Sequence, residues 1–431
     1  MNKKIIYSIL GPGVSGIGAA KLLKAMNEPC LVIGNQEVST WESKFSFLDE
    51  MSVCLNEEDA RVGDLFNDLK YLILSPGIPR THNLVESALR AGIKVVNEID
   101  LAATYLSRES KGDEVFIGVT GSNGKTTTVT LINHLLSTAG KNTFLGGNIG
   151  TPLSSYVAEG KRADVYILEL SSFQLETLTE LKLNIGAWLN FTPTHEERYK
   201  CVNDYFSAKE KIFNLSEKKL VGFDVESLDF ESSFEPKEFI SPEKSDLDNL
   251  SLKNWKLKGE HNIENLTMAV FIAKELGFND EQIQAGIDSF SPLDYRVQFI
   301  GSLDGSNFFN DSKSTNIEST KKAVSGFDSK KLTLLMGGKV RDESLVNLQS
   351  WKNVIENIDQ VIIFGEAARF FKKKVTSSNC LYFDSFSKVR LSTDEKKDIL
   401  FSPGFPSFDE FKNYIERGEA FNNFFENLKN K

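Results

Sequence analysis

Cysteine is scarce in this sequence of 431 residues, which contains only Cys30, Cys54, Cys201 and Cys380. None of the four stands at the short spacing from another that is typical of paired zinc ligands, and a disulfide framework needs a denser set. The scarcity therefore excludes a disulfide-stapled secreted domain and a cysteine zinc site. We expect a protein of a reducing compartment, the cytoplasm.

An excess of positive charge is also missing. The chain has 50 lysines and arginines against 60 aspartates and glutamates, which gives a formal net charge of −10. This balance excludes broad nucleic-acid binding, because such binding needs a basic surface that neutralises phosphates. An anionic small molecule must therefore meet basic side chains that are gathered locally.

Long apolar runs are absent as well, since none approaches the roughly 20 residues that span a bilayer. Lys3 and Lys4 precede an apolar stretch in the manner of a signal peptide, but glycines and a proline interrupt that stretch between Gly11 and Gly16. We predict neither a targeting signal nor membrane insertion.

The length predicts about three domains, and β-rich runs that alternate with helical stretches predict an α/β fold. We predict a Rossmann-like N-terminal domain over residues 1–97, a P-loop-type central ATPase domain with a mostly parallel sheet over 98–298, and a Rossmann-like C-terminal domain over 299–431. The charged segment 216–258 predicts a peripheral region. The predicted strands are Ile5–Leu10, Cys30–Ile33, Tyr71–Leu74, Ile93–Val96, Asp164–Leu170, Leu183–Phe191, Leu332–Met336, Val361–Phe364, Leu381–Phe383 and Ile399–Phe401.

The most informative stretch is an apolar run from Val115 that breaks into Gly121-Ser-Asn-Gly-Lys-Thr126, after which a helical pattern begins. Its glycines let backbone N–H groups point at phosphates, the helix N-terminus adds positive potential, the lysine bridges terminal phosphates, and a hydroxyl can hold Mg²⁺. The usual spacing requires glycine where this chain has Val119, so the motif is a variant. It predicts ATP binding, and the alternative is a tight turn with a surface lysine.

A second glycine-rich turn, Gly11-Pro-Gly-Val-Ser-Gly16, follows the first predicted strand. Its G-x-G-x-x-G spacing suits a diphosphate at the N-terminus of the next helix. The second strand ends at Gly34-Asn35, without the acidic residue that holds the ribose of a nicotinamide dinucleotide, so we expect a different diphosphate. A purely structural turn is one alternative. An oxidoreductase built on this turn is another, but it leaves the Lys125 loop unexplained.

Four polar clusters accompany these loops. Glu169 follows a buried strand, where its carboxylate can complete a Mg²⁺ shell, although the serines that follow it can equally cap a helix. His195 ends another strand as a candidate metal ligand or base, which a lone histidine usually is not. Gly259–Asn265 offers amides that suit either a purine or a loop. Asn310–Asn316 is too polar for an ordinary turn.

In combination, these motifs resemble the Mur ligases, ATP-dependent amide-forming enzymes of peptidoglycan precursor synthesis. The resemblance covers nearly the whole length and is strongest to the members that add D-glutamate to UDP-N-acetylmuramoyl-L-alanine. It depends on Ser75–Ile78, Asn310–Asn316 and Ser402–Phe411, at which enzymes that add other amino acids look different. Folate-polyglutamylating ligases share the logic of the central domain but explain neither the first domain nor Ser402–Phe411.

The resemblance implies site residues in every domain. ATP would be bound by Gly121, Ser122, Asn123, Gly124, Lys125, Thr126, Thr127, Asn262, Asn265, Arg296 and Asp311. The UDP-substrate would be bound by Val14, Ser15, Asn35, Gly77, Asn148 and His195. D-Glutamate would be received by Lys313, Thr315, Ser407 and Tyr414. The implied metal ligands, for two Mg²⁺ ions, are Thr126, Glu169, His195 and a carbamate on Lys209, and the implied catalytic residues are Lys125, Asn148, His195 and Lys209.

Lys209 falls at the position that the family carbamylates. The modification replaces a cation by an anion that can bind metal, and its formation requires a neutral amine, hence an environment that lowers the pKa of the lysine. The alternative is a solvated helix lysine beside Glu210 and Lys211.

The implied reaction transfers the γ-phosphate of ATP to the L-alanyl carboxylate, and the amine of D-glutamate then attacks the acyl phosphate. A P-loop ATPase switch is a further alternative, but it does not account for the polar cluster Asn310–Asn316. We expect a monomer whose partners are these small molecules.

Four positions depart from the family pattern. Thr194 replaces an aspartate before His195, which would alter the second metal site, and Tyr295 replaces a histidine before Arg296. Gly34-Asn35 replaces an Asp-Thr pair, which would change the uridine contacts. The run Lys339-Val-Arg341 lacks the usual lysine, and either of its basic residues would then bind the side-chain carboxylate of the glutamate.

Overall fold

A computed structural model of the protein describes residues 4–58, 68–109, 112–193, 198–199, 201–222, 225, 234, 238–257, 259–291, 294–340, 346, 348–375, 377–391 and 396–430. The chain forms two compact units. The first consists of Met1–Leu252 with Glu264–Asp288, and the second of Lys253–Ile263 with Ser289–Lys431.

The first unit begins with a parallel sheet of five strands in the order β3-β2-β1-β4-β5. Its elements are β1 (Tyr7–Leu10), α1 (Val14–Ala25), β2 (Cys30–Gly34), β3 (Val53–Asn56), β4 (Tyr71–Leu74), α2 (Asn83–Arg90), β5 (Lys94–Val96) and α3 (Glu98–Glu109). Strands β1 and β2 are buried throughout, as expected for a parallel sheet covered on both faces.

A second parallel sheet of the same unit has the order β10-β9-β6-β8-β7. It is built from β6 (Val115–Thr120), α4 (Lys125–Thr138), β7 (Thr143–Gly147), α5 (Leu153–Ala158), β8 (Val165–Glu169), α6 (Ser172–Leu175), β9 (Leu183–Trp188), α7 (Val202–Asn214) and β10 (Ser216–Val221). Helices α8 (Glu260–Glu275) and α9 (Asp280–Ser289) follow. Because the strands are parallel, the loops after β6, β8 and β9 meet at one edge.

Helix α1, which flanks the first sheet, packs closely on helix α5, which flanks the second sheet. A Cβ atom added at Gly18 would lie 2.6 Å from the Ser154 hydroxyl oxygen, so only glycine permits this approach. The two sheets also share one core cluster, which runs from Ile9 and Val32 to Tyr166 and Trp188. The first unit is therefore a single packed body.

The second unit has a six-stranded sheet in the order β11-β12-β16-β13-β14-β15. Its elements are β11 (Gln298–Leu303), β12 (Ser306–Asn310), α10 (Ile317–Val324), β13 (Leu332–Gly337), α11 (Leu348–Glu356), β14 (Gln360–Phe364), α12 (Gly365–Lys374), β15 (Cys380–Phe383), β16 (Asp398–Gly404) and α13 (Tyr414–Lys429). Among the strands that the structure describes in this unit, only β11 pairs antiparallel, with β12. The polar cluster Asn310–Asn316 begins where β12 ends.

The predicted α/β class with mostly parallel sheets is confirmed. The expectation of a peripheral region from residue 216 is wrong at its start, because Ser216–Val221 forms β10, whose Leu220 and Val221 are buried. The domain boundaries after residues 97 and 298 stay predictions. Within the described residues, no helix has both the length and the hydropathy needed to cross a bilayer.

Candidate active site

The phosphate loop joins β6 to α4. Two of its glycines have positive φ values, 155° at Gly121 and 81° at Gly124, which favour glycine. Gly124 precedes the first residue of α4, and a Cβ atom there would lie 2.4 Å from the side-chain oxygen of Asn265. Asn265 is itself held by the Thr128 hydroxyl, at 3.1 Å. The loop therefore presents its backbone to Asn265 of α8, with no room for a side chain at Gly124.

Asn190, just after β9, holds the phosphate loop in place. Its side-chain oxygen accepts a hydrogen bond from the backbone N–H of Asn123 at 2.9 Å, and its amide donates to the Asn123 carbonyl at 3.0 Å. The backbone N–H of Thr192 donates to the Ser122 hydroxyl at 2.8 Å. Sequence reasoning selected this segment because of His195 and did not identify the side-chain amide of Asn190, which holds the loop.

Thr126, Asn148 and Glu169 form a polar group beside the loop. The Thr126 hydroxyl donates to Glu169 Oε2 at 2.6 Å, and the Asn148 side-chain amide donates to Oε1 at 2.9 Å. One carboxylate beside a threonine hydroxyl at a phosphate loop is the donor set that Mg²⁺ uses when phosphates complete its shell. These residues therefore fit a magnesium ion. In the described part of the chain, no group of three or more histidines, cysteines or acidic residues forms a separate metal site.

Two lysines border the loop. Lys125 donates hydrogen bonds to the carbonyl oxygens of Gly121 and Ser122, at 2.6 and 3.1 Å. Lys209 on α7 is only 1% exposed, donates to the carbonyl oxygen of Gly121 at 2.9 Å, and lies 4.8 Å from the centre of the Tyr205 ring. Burial, reinforced by the charge of Lys125, lowers the pKa of Lys209 well below its ordinary value, although Glu169 opposes the shift. The solvated surface lysine is excluded.

Four of the predicted UDP-substrate residues lie just after β1, β2 and β4, namely Val14, Ser15, Asn35 and Gly77. Gly11 has a φ of 104°, and its carbonyl accepts a hydrogen bond from the Ser75 hydroxyl at 2.9 Å, so the two loops touch. Helix α1 begins at Val14, which is 69% exposed, and no side chain caps it. A Cβ atom on Gly77 would meet nothing within 4 Å. This edge therefore leaves an uncapped helix N-terminus and an open glycine backbone accessible to a ligand.

In the second unit, Asp311 is buried where β12 ends. Its carboxylate accepts hydrogen bonds from the Ser402 hydroxyl at 2.7 Å and from the backbone N–H of Val297 at 3.2 Å. Burial raises the pKa of Asp311 to about 6, against the lowering effect of its hydrogen bonds and of Arg296. Tyr295 and Val297, which flank Arg296, have φ values of 63° and 47°, strained for a tyrosine and a β-branched residue.

Lys313 and Tyr414 meet in the same unit, with the Lys313 ammonium 3.8 Å from the centre of the Tyr414 ring. Arg417, which is fully buried on α13, donates hydrogen bonds to the Ser312 carbonyl and the Phe405 carbonyl, both at 2.8 Å. It thereby ties the cluster Asn310–Asn316 to the chain after β16. Sequence reasoning missed Arg417, and its one signal was an arginine among the apolar positions of the last helix.

Comparison with known proteins identifies the family. Residues 119–229 match the Mur ligase middle domain. The chain is 33% identical to UDP-N-acetylmuramoylalanine–D-glutamate ligase from Streptococcus agalactiae, over 99% of this chain and 98% of that one. It is 31% identical to the protein of the same name from Prochlorococcus marinus, over 97% and 94% of the two chains. The chain belongs to the Mur ligase family.

Solved Mur ligases share its fold. UDP-N-acetylmuramate-alanine ligase MurC from Thermotoga maritima matches with a TM-score of 0.57 at 14% identity, over 99% of this chain and 100% of that one. A likeness at this identity concerns the fold alone, and it confirms the predicted α/β architecture.

In this Mur ligase, the first unit brings the residues of the phosphate loop together with Asn148, Glu169, Lys209 and Asn265. Asn262 is buried on α8, three residues before Asn265. Thr127 lies in the first turn of α4, Asn35 and Thr315 are exposed, and Ser407 is buried. The predictions for Thr194, His195 and Arg341 lie outside the described residues. The individual ligand contacts stay predictions.

Proposed function

We propose that this protein is an ATP-dependent ligase that adds D-glutamate to UDP-N-acetylmuramoyl-L-alanine in peptidoglycan precursor synthesis. The observation that carries the proposal is the group of Thr126, Glu169 and Lys209 at the phosphate loop, in a chain that aligns over nearly its whole length with relatives named for that reaction. We further propose that it acts as a cytoplasmic monomer.

The phosphate loop would hold ATP, with its backbone N–H groups and the N-terminus of α4 directed at the phosphates. Thr126 and Glu169 would hold one Mg²⁺, and His195 with a carbamate on Lys209 would hold a second. The metal would supply Lewis-acid stabilisation of the transferred phosphoryl group. Lys125 would release the loop carbonyls and place its charge on the terminal phosphates, where negative charge develops.

A carboxylate accepts an amine only after it gains a leaving group, which is why the reaction needs ATP. Phosphorylation of the L-alanyl carboxyl group gives an acyl phosphate, the amine of D-glutamate attacks its carbonyl carbon, and phosphate departs. Asn148, which is already anchored to Glu169, would orient the alanyl end of the UDP-substrate. Lys125 would remain to neutralise the oxyanion.

The second unit would bind the amino acid. Lys313, Thr315, Ser407 and Tyr414 would receive D-glutamate, and Asp311 and Arg296 would contact the nucleotide. The Lys313 ammonium and the ring of Tyr414 are already in contact, so this part of the proposed site is partly preformed.

The decisive experiment measures phosphate release from ATP with Mg²⁺ and UDP-N-acetylmuramoyl-L-alanine. D-Glutamate is compared with L-glutamate, D-alanine, L-lysine and no amino acid. Release that depends on D-glutamate supports the proposal. Release with another amino acid contradicts the proposed specificity, and release without an acceptor indicates a plain ATPase. Lys125→Met should abolish release, whereas Lys141→Met, an exposed lysine just beyond α4, serves as the control.

A further inference from the structure

Glu176 and Arg198 form a largely buried ion pair close to the proposed active site. Arg198 donates from Nη2 to Glu176 Oε2 at 2.7 Å and from Nε to Oε1 at 3.3 Å. The two side chains are only 12% and 11% exposed, and the guanidinium lies 4.8 Å from the centre of the Phe173 ring. Glu176 directly follows α6, seven residues after Glu169.

The same pair reaches the loop of the first sheet that contains Gly77. Arg198 Nη2 also contacts the carbonyl oxygen of Ile78 at 3.4 Å. In the opposite direction, Arg80 donates to the backbone carbonyl of Glu176 at 2.9 Å. Arg80 and Arg198 therefore connect the loop Ser75–Arg80 to the segment that follows Glu169, the proposed magnesium ligand.

The ion pair of Glu176 and Arg198 is not explained by a contribution to stability alone. Lys211 also donates to the backbone carbonyl of Glu176, at 3.1 Å, so two cations, Arg80 and Lys211, bind the backbone of the residue whose carboxylate pairs with Arg198. A buried ion pair loses solvation that its attraction repays only when the geometry is good, and apolar residues of similar size often stabilise a fold as well. The benefit that such a pair supplies more reliably is a fixed register between two elements.

We infer that Glu176 and Arg198 are positioning residues that fix the loop Ser75–Arg80, and with it the bound UDP-substrate, relative to Glu169 and the phosphate loop. The inference rests on the proposed function. Neither residue belongs to the proposed set of ligand and metal contacts, so the pair would act through Ile78 and the neighbouring Gly77, whose backbone is open to a ligand. It should affect binding of the UDP-substrate and leave binding of ATP unchanged.

The test is the variant Arg198→Met, which keeps an apolar side chain against Phe173 and removes the charge and the donors. We expect KM for UDP-N-acetylmuramoyl-L-alanine to rise about tenfold, while KM for ATP and kcat change by less than about threefold, the pattern of lost ground-state binding. Arg198→Lys should restore part of the loss. Glu176→Gln should reproduce it, and the double variant should be no worse than either single one, because partners in one contact are not additive.

Arg162→Met is the matched control, because the guanidinium of Arg162 also lies over an aromatic ring, 5.7 Å from the centre of Tyr105, but at another part of the first unit. It should leave every KM unchanged. Thermal unfolding and calorimetric titration of the UDP-substrate accompany each variant, and Arg198→Lys replaces Arg198→Met if the latter does not fold.

Two results would overturn the inference. An unchanged KM for the UDP-substrate in a folded variant would show that the pair positions nothing, and an equal rise in KM for ATP would show a general structural role. The proposed function is tested separately by turnover of the unmodified protein. If the proposed function is wrong, the protein without substitutions shows no D-glutamate-dependent turnover. If the inference is wrong, that turnover is present, and the KM for the UDP-substrate is the same in the variant and in the protein without substitutions.

Discussion

Lys125 and Lys209 share one acceptor, because both ammonium groups donate to the carbonyl oxygen of Gly121, at 2.6 and 2.9 Å. Lys209 is buried, and the charge of Lys125 at the same oxygen also repels it, so the pKa of Lys209 is lowered well below the ordinary value of a lysine. Loss of its proton gives the neutral amine that reacts with carbon dioxide. A carbamate would replace the repulsion of Lys125 by attraction, which supports the proposed modification.

Replacement of Lys209 should therefore nearly abolish turnover. We expect Lys209→Ala to lower D-glutamate-dependent phosphate release by on the order of 100-fold or more, because a charge-bearing group at the phosphates is lost. Lys209→Arg retains the cation but cannot form a carbamate, so it should be as inactive as Lys209→Ala. Carbon-13 bicarbonate should give a carbamate resonance in the protein that retains Lys209 and in neither variant. If Lys209→Arg keeps activity within a few-fold of the protein that retains Lys209, the proposed carbamate is wrong.

The second prediction concerns the magnesium site. Glu169→Gln retains the shape of the side chain but removes the charge, and Thr126→Val removes the hydroxyl that donates to Glu169 at 2.6 Å. Both should raise the Mg²⁺ concentration needed for half-maximal activity, and Glu169→Gln should lower the maximal rate by on the order of 100-fold.

Thr143→Val is the control for that series, because the Thr143 hydroxyl on β7 donates to the Asn133 side chain at 2.8 Å, outside the proposed site. Its magnesium dependence should match that of the unmodified protein. A magnesium curve for Glu169→Gln that coincides with the control would exclude Glu169 as a ligand.

Local motifs made much of the candidate site predictable. The phosphate loop uses consecutive residues, so glycines, lysine and threonine at fixed spacing indicate it directly. Glu169 could be predicted because it ends a strongly apolar strand, and neighbouring parallel strands bring their carboxyl ends to one edge. Both arguments need only short stretches of sequence and the geometry of an α/β sheet.

Contacts between distant parts of the chain could not be predicted. Asn190 and Asn123 are 67 residues apart, and Arg417 reaches Ser312 across 105. Nothing in either local pattern selects the partner. Short or edge strands were missed for a different reason: β10 carries Ser-Glu-Lys-Lys before its two buried residues, and β3 has no fully buried residue. Their stability comes from the neighbouring strand and not from their own composition.

The third prediction compares two glycines at opposite ends of α4. Gly124 and Gly140 have φ values of 81° and 89°, so alanine is strained at both by about 1–2 kcal/mol. Only at Gly124 would the new Cβ atom meet a neighbour, the side-chain oxygen of Asn265 at 2.4 Å, since Gly140 has nothing within 4 Å. Gly124→Ala should therefore weaken ATP binding by at least about tenfold, or roughly 1.4 kcal/mol.

Gly140→Ala should lower the free energy of unfolding, because alanine is strained there about as much as at Gly124. It should leave ATP binding unchanged. Calorimetric titration with a non-hydrolysable ATP analogue, together with urea unfolding, separates the two effects. Equal ATP affinities in both variants would show that the contact between Gly124 and Asn265 does not shape the nucleotide site.

The last prediction concerns pH and His261, in the first turn of α8. Its ring packs against Gly259, where an added Cβ atom would lie 2.6 Å from the ring. Burial, and secondarily the positive charge of Lys322, lowers the pKa of His261 from 6.5 to about 4. The folded protein thus resists protonation of this ring, whereas the unfolded chain accepts a proton at the ordinary pKa.

The sign of the stability effect follows from that difference. Above pH 6.5 the ring is neutral in both states, so it adds no pH dependence. Between pH 6.5 and about 4 the unfolded chain binds the proton first, so the free energy of unfolding falls on acidification by up to about 3 kcal/mol. His261→Gln removes this titration, while other groups such as Asp311 titrate in both proteins and cancel in the comparison. Urea unfolding at pH 7 and pH 4.5 should show a smaller loss in the variant, and parallel losses would contradict a buried neutral His261.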